Sequence, residues 1–150
     1  MSLPERPDRA LDTDRLVASV DRIVSERMRA VLAPAHVELE EWRVLSLLSD
    51  GDGHTMAETA DFALLPPPTL TKVVNRLVAN NLVHRRSGTV DRRQVLIRNT
   101  ARGQQKYDAL AGEIEAVHRR LFGADSDREL LEGLLAAVHH TASADDRVDH

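Results

Sequence analysis

The apolar residues of this chain recur at helical spacing along most of its length, with one short interruption. Between Leu82 and Arg98 the helical period gives way to two short segments rich in β-branched and basic residues, separated by Ser87-Gly88-Thr89-Val90-Asp91. Segments of this kind on either side of a turn that contains glycine predict a β-hairpin. The sequence therefore predicts a mainly α fold with a small β-hairpin.

Six helices are predicted around this hairpin. They cover residues 12–33, about 38–48, 55–62, 66–81, 100–123 and the segment from about 126. Thr55-Met56-Ala57-Glu58 forms a capping box at the start of the third helix. Pro66-Pro67-Pro68 suits the first turn of the fourth, where an amide N–H would have no partner. The first helix carries a broad apolar stripe, which predicts packing against something larger than its own domain.

The formal net charge of −4 is unevenly distributed. Between Pro66 and Arg98 there are seven basic residues and a single acid, Asp91, so this stretch carries +6 and the rest of the chain −10. A local basic stripe can attract the phosphate backbone of nucleic acid even on a protein whose net charge is negative. The alternative is a solvated face that is merely basic. The chain has no cysteine, which excludes disulfides, thiolate metal sites and a thiol redox switch.

The sequence shows no features of a membrane protein, a secreted protein, a zinc enzyme or a common hydrolase. No run approaches the roughly 20 apolar residues of a membrane span, and residues 1–15 lack the apolar core of a signal peptide, so a cytoplasmic protein is expected. The spacing of the seven histidines fits no zinc-enzyme pattern. Enzyme motifs such as Gly-x-Ser-x-Gly and His-Glu-x-x-His are missing too. We therefore expect no enzyme, no metal and no cofactor.

The fourth helix divides into two faces on a helical wheel. Its apolar side consists of Leu70, Val73, Val74 and Leu77, and the opposite side of Pro68, Lys72 and Asn75, flanked by Thr69, Thr71 and Arg76. Such a helix can pack by one face and lay the other in the major groove. There the threonines would touch phosphate or a thymine methyl group, Lys72 guanine or phosphate, and Asn75 adenine. The alternative is an ordinary amphipathic surface helix.

The hairpin supplies further cations. Arg86, Arg92 and Arg93 lie on its strands and shoulder, where a guanidinium can enter a narrow minor groove. Asp91 would repel phosphate, so we expect it to support the hairpin by holding an arginine through a charge-assisted bond. The alternative is a simple salt bridge between Asp91 and Arg93. Trp42, in the second helix, is assigned to the core in preference to a ligand platform.

Three segments, in this order and spacing, resemble the MarR family. They are PPPTLTKVVNRL at 66–77, NNLVHRR at 80–86 and DRRQVLIRNTARG at 91–103. The Asp-x-Arg of the family's wing falls on Asp91 and Arg93, and its Thr-x-x-Gly on Thr100 and Gly103. The resemblance covers 37–103, a little under half of the chain. Two features depart from it: Asn75 stands where many members carry an acid, and the wing tip at 87–90 lacks their acidic and proline residues.

The resemblance implies a cytoplasmic homodimer of winged helix-turn-helix lobes that binds a palindromic operator in double-stranded DNA and represses transcription until a small organic effector releases it. The chain would then divide into an N-terminal dimerisation helix (1–36), a DNA-binding lobe (37–99) and C-terminal dimerisation helices (100–142). The polar composition of residues 143–150 predicts a disordered tail. No motif identifies the effector, so no effector-binding residue is assigned. The rival interpretation is a winged-helix protein-interaction module that does not read DNA.

Overall fold

The computed structural model describes residues 12–148. In this range the chain forms six α-helices and three short strands; the helices and the two strands of the hairpin are predicted by the sequence, and the third strand is not. They are α1 (Thr13–Leu32), α2 (Leu39–Leu48), β1 (His54–Thr55), α3 (Met56–Ala63), α4 (Pro67–Ala79), β2 (Val83–Ser87), β3 (Val95–Asn99), α5 (Ala101–Phe122) and α6 (Asp125–Val148). Within residues 12–148, none of the helices could span a membrane.

The hairpin belongs to a three-stranded antiparallel sheet of order β1-β3-β2. The strand β1 is not predicted by the sequence, because two residues are too few to show a period. Its His54 pairs with Ile97 in the central strand, and Ile97 also faces Arg85 of β2. The predicted capping box follows directly: Thr55 Oγ1 accepts the Glu58 N–H at 3.1 Å. The short strand and the cap together fix where α3 begins.

The chain forms two compact units, the first ending at Ile114 and the second beginning at Glu115. The first unit contains two apolar clusters. One joins α2, α3, α4 and the sheet around Leu45, Leu77 and Ile97. The other joins α1, α2 and the first part of α5, and there the ring of Trp42 stacks on Tyr107 with centroids 4.9 Å apart. Trp42 is thus a core residue, as predicted.

The Thr-x-x-Gly motif forms the joint where α5 begins. Thr100 Oγ1 donates to the Asn81 carbonyl at 2.7 Å and accepts the Gly103 N–H at 3.0 Å. A Cβ on Gly103 would lie 2.0 Å from the Leu82 carbonyl oxygen. Only glycine therefore lets α5 approach the turn between α4 and β2 so closely, and this explains the spacing of the motif.

The second unit contains the end of α5 and all of α6. Arg128 bridges Glu115 at 2.5 Å and Glu132 at 2.9 Å. The prediction of a disordered tail at 143–150 is wrong for residues 143–148, because α6 continues to Val148; residues 149 and 150 lie outside the described part. Alanines favour helix here, and Ser143 Oγ bonds the carbonyl four residues back at 2.9 Å, so its polarity does not end the helix.

Candidate nucleic-acid interface

Helix α4 has the two faces that the wheel predicts. Its inner side chains, Leu70, Val73, Val74 and Leu77, are at most 2% exposed. Every predicted outer residue is exposed: Pro68, Thr69, Thr71, Lys72, Asn75 and Arg76. Because the inner face is fixed against α2, α3 and the sheet, the outer face is presented to solvent at a fixed angle.

The first turn of α4 offers few hydrogen-bond donors. Pro66 is the N-cap, and Pro67 and Pro68 follow as the first two helical residues. None of the three has an N–H, so within this turn only Thr69 retains an amide for an outside acceptor. The hydroxyl of Thr71 donates to the Pro67 carbonyl at 3.0 Å. A phosphate oxygen at this helix end could therefore accept from a single backbone amide.

The side chain of Asn75 is held from the sheet. Its Oδ1 accepts a hydrogen bond from the guanidinium of Arg85 in β2, a residue that sequence analysis did not assign to the site. A signal existed in the run Arg85-Arg86, because successive residues of a strand point to opposite faces and so cannot serve one surface. This bond connects the outer face of α4 to the hairpin.

Arg76, on the flank of the same helix, has a different partner. Its Nη2 donates to Glu38 Oε2 at 2.8 Å. Glu38 is the N-cap of α2, and its N–H is accepted by Glu41 Oε1 at 3.0 Å. Both ends of the Arg76–Glu38 pair remain about half exposed. The pair therefore holds Arg76 beside the start of α2 and reduces the charge that it offers to phosphate.

The prediction for Asp91 is corrected by the structure. Its Oδ1 accepts the backbone N–H of Arg93 at 2.9 Å, and among the described residues it pairs with no arginine side chain. A short turn explains this, because an aspartate at its start bonds the amide two residues on more readily than a flexible guanidinium. Asp91 shapes the wing, while the exposed Arg92 and Arg93 keep their side chains available.

The positive potential of the interface comes from fewer residues than the sequence lists. Arg98 donates to the Gly51 carbonyl and is committed to the turn before β1. His84 adds no charge, since burial and then the nearby Arg86 and Arg98 hold its pKa below the ordinary value. Of the basic residues between Pro66 and Arg98, four have side chains with neither a salt bridge nor a hydrogen bond to the described part of the chain, and all four are exposed: Lys72, Arg86, Arg92 and Arg93.

A groove of about 520 Å³ lies where α1 ends and α2 begins. Apolar and charged side chains share its lining: Arg29, Ala33, His36, Val37, Glu38, Leu39 and Glu40. Glu38 also binds Arg76 of α4. The Arg76–Glu38 ion pair therefore connects the groove to the outer face of α4. A small ligand bound in the groove could affect that face through this pair. Within residues 12–148, no three histidine or acidic side chains cluster as a metal site would require.

Comparison with known proteins identifies relatives of the central part of the chain. The sequence model of the MarR family matches residues 37–95. The transcriptional regulator FarR of Neisseria gonorrhoeae is 27% identical over 89 residues, 59% of this chain and 61% of its own length. The transcriptional repressor IacR of Pseudomonas putida is 24% identical over 126 residues, 83% of this chain and 75% of its own. The chain thus spans under two thirds of FarR.

Solved structures share the fold over a longer range. CouR from Rhodococcus jostii, bound to p-coumaroyl-CoA, superposes with a TM-score of 0.79 at 25% identity. The match covers 85% of this chain and 91% of that one. A mutant MarR from E. coli complexed with operator DNA gives 0.72 at 24% identity, over 83% and 91% of the two chains. The winged helix fold is therefore shared along the region that contains the interface.

Proposed function

We propose that this chain is a member of the MarR family and a sequence-specific DNA-binding repressor of transcription that acts as a homodimer. One observation carries the proposal. The outer face of α4 is polar and basic, is fixed by a fully buried inner face, and lies beside a hairpin whose arginines have no acidic partner among the described residues. This is the arrangement with which a recognition helix enters the major groove while a wing reaches the minor groove.

The rival function, a protein-interaction module, receives less support from this surface. Such a module would present an apolar or acidic face to its partner. The outer face of α4 presents Lys72 and Arg76 instead, and the wing adds Arg92 and Arg93. The charge suits a phosphate backbone better than another protein.

Dimerisation is supported by apolar stripes that remain uncovered in the single chain. On α1, Leu16, Val17, Val20 and Ile23 are 39–53% exposed. On α6, Leu130, Leu134, Leu135 and Val138 are 49–70% exposed. Contiguous apolar stripes of this kind mark association surfaces. We assign both helices to the homodimer, in which the two lobes would face successive major grooves about 34–36 Å apart. A repressor of this kind would work in the cytoplasm.

A small organic effector is proposed to release the operator. Two observations support it: the mixed apolar and charged groove at α1 and α2, and the ligand carried by the related CouR. Because the sequence has no cysteine, peroxide has no thiol to oxidise. An effector that binds the DNA-incompetent dimer ten times more tightly shifts the equilibrium by about 1.4 kcal/mol.

The effector is tested by titrating the protein–DNA complex with aromatic and carboxylate metabolites. Peroxide, and zinc with and without chelator, serve as controls. We expect one metabolite class to release the DNA and the controls to have no effect. Release by peroxide, or a strict need for zinc, would contradict this part of the proposal.

DNA binding itself is tested by selecting bound sequences from random duplex DNA at fixed salt. A homodimer should enrich an inverted repeat whose half-sites lie about one helical turn apart. If nothing is enriched and no duplex is retained, the protein is not a sequence-specific DNA-binding regulator. Retention of a partner protein by the same face would then favour the interaction module.

A further inference from the structure

We propose that α4 reads thymine and guanine, through their keto oxygens, the guanine N7 and the thymine methyl group, and not the amino groups of adenine and cytosine. This inference rests on the proposed DNA-binding function and specifies the bases that it recognises. It follows from an inventory of donors and acceptors on the outer line of α4, which consists of Pro68, Lys72 and Asn75 at successive turns, with Thr71 beside them.

The first two positions of this line provide no acceptor. Pro68 has a hydrocarbon ring and no N–H, so it can make only apolar contacts with a base edge. Lys72 has three donors and no acceptor, and it has no acidic partner in the described part of the chain. The first turns of α4 therefore combine an apolar surface with a donor.

Asn75 also acts as a donor here, although a free asparagine offers both kinds of group. Asparagine recognises adenine by accepting from N6 and donating to N7 at the same time. In this structure Oδ1 of Asn75 already accepts from Arg85. A guanidinium only donates, so the atom that faces it must be the oxygen. The bond holds the oxygen toward Arg85 and uses one of its two lone pairs, so the freer group for DNA is the Nδ2 amide, which needs an acceptor.

Thr71 completes the apolar part of this face. Its hydroxyl proton is directed to the Pro67 carbonyl at 3.0 Å, which leaves it the methyl group and the weak acceptor capacity of the oxygen. Thr69 is the one outer residue of α4 whose hydroxyl has no such bond, and it lies on the flank of the helix. Carboxylates, which would accept strongly from amino groups, are missing from the outer face of α4.

This inventory matches the major-groove edges of the two keto bases. Thymine presents the O4 acceptor and the 5-methyl group, and guanine presents the N7 and O6 acceptors. Adenine N6 and cytosine N4 are donors, which this face has little means to satisfy. Unpaired cations beside the face provide attraction to phosphate but no sequence preference. We therefore expect one strand of each half-site to be rich in thymine and guanine where α4 contacts it.

The test uses base analogues in the site found by selection from random DNA. Deoxyuridine in place of thymine removes only the methyl group and should weaken binding about fourfold at a contacted position, the effect of one buried methyl. The 7-deaza analogue of guanine, which removes N7, should weaken it as well. Purine deoxyriboside in place of adenine removes the N6 amino group and one hydrogen bond of the base pair, and in the half-site it should weaken binding no more than the same replacement does outside the contacted positions.

Two matched variants connect the effect to this helix. Thr71→Ser removes one methyl group and keeps the hydroxyl bond, and Pro68→Ala removes most of the proline ring. The loss of affinity caused by deoxyuridine should be smaller in at least one of these two variants than in wild type. Thr141→Ser is the control, because Thr141 makes the same bond at 3.0 Å to the carbonyl four residues back on α6. It should leave the penalty unchanged. Thermal unfolding of each variant checks that it is folded.

The outcomes separate this inference from the function on which it rests. If the selected site binds tightly, and removing the adenine amino group weakens it more in the half-site than outside the contacted positions while deoxyuridine does not weaken it, the keto-base inference is overturned and DNA binding stands. If no duplex is bound at all, the proposed function fails and the inference fails with it. An equal deoxyuridine penalty in wild type, Pro68→Ala and Thr71→Ser would also contradict the assignment to α4.

Discussion

His54 shows how much a single side chain can organise at the edge of the lobe. Its Nε2 lies 2.6 Å from Asp50 Oδ2 and its Nδ1 3.0 Å from Glu58 Oε2. Ionised carboxylates only accept, so both contacts are hydrogen bonds only when both ring nitrogens carry protons, that is, when the imidazole is cationic. Burial opposes this charge, but the hydrogen bonds to Asp50 and Glu58 raise the pKa of His54 above its ordinary value. The ring clasps the turn before β1 to the start of α3.

The stabilisation from this clasp should depend on pH. A raised folded-state pKa gives stability that is fully present below the unfolded value, about 6.5, and is lost as pH rises through the folded pKa. Arg98, which faces Asp50 from β3, stays charged throughout. His54→Gln should therefore lower the melting temperature clearly at pH 6 and much less at pH 9.

The control for this prediction is His140→Gln, at an exposed position of α6. Its melting temperature relative to wild type should be the same at both pH values. A difference between wild type and His54→Gln that does not change with pH would show that the clasp does not titrate.

The sequence predicts which kinds of residue lie at the interface better than it predicts which side chains they contact. The exposed positions of α4 follow from local periodicity, and the wheel predicts them. The bonds of Arg76 to Glu38 and of Asn75 to Arg85 join different elements, and no local pattern encodes which cation meets which acceptor. The bond from Arg85 to the oxygen of Asn75 therefore could not be predicted from the sequence.

At the scale of elements, the helices with strong local signals were predicted to within a few residues. Three of these signals set a helix end through contacts within one or two turns. They are the capping box at Thr55, the prolines at the start of α4 and the left-handed Asn81 (φ 58°) after it. The strand β1 could not be predicted from local sequence, because it exists only through its pairing with β3. The end of α6 was wrong because polar composition is a weak indicator of disorder beside helix-favouring alanines.

The joint at the start of α5 gives a sharp test of element packing. Gly103→Ala would place a Cβ 2.0 Å from the Leu82 carbonyl oxygen, so α5 or the turn must move. We expect a loss of about 1–3 kcal/mol in the free energy of unfolding, as for other overpacked sites. Denaturant unfolding measures it.

Gly112→Ala, in the same helix, is the matched control. Its Cβ would meet nothing within 4 Å in the described chain, and alanine favours helix by up to about 1 kcal/mol. Stability should be unchanged or raised. Equal losses in the two variants would mean that helix propensity, and not the close approach to Leu82, decides the effect.

At the scale of the whole molecule, the distribution of charge matters more than its sum. The stretch from Pro66 to Arg98 carries +6 and the remainder −10, so a polyanion such as DNA would be attracted to the first and repelled by the second. Such a distribution limits the orientations in which a duplex can approach. Sequence alone predicted this division, because charge is additive along the chain, whereas the partners that reduce the charge of Arg76 required the structure.

The most direct test of the central claim compares two duplexes at the same salt concentration. One carries the inverted repeat obtained by selection, and the other has the same base composition with both half-sites shuffled. A repressor that reads sequence through α4 and the wing should bind the first at least about a thousandfold more tightly. Equal dissociation constants for the two duplexes would show that the basic surface binds DNA without reading it, and would contradict the account.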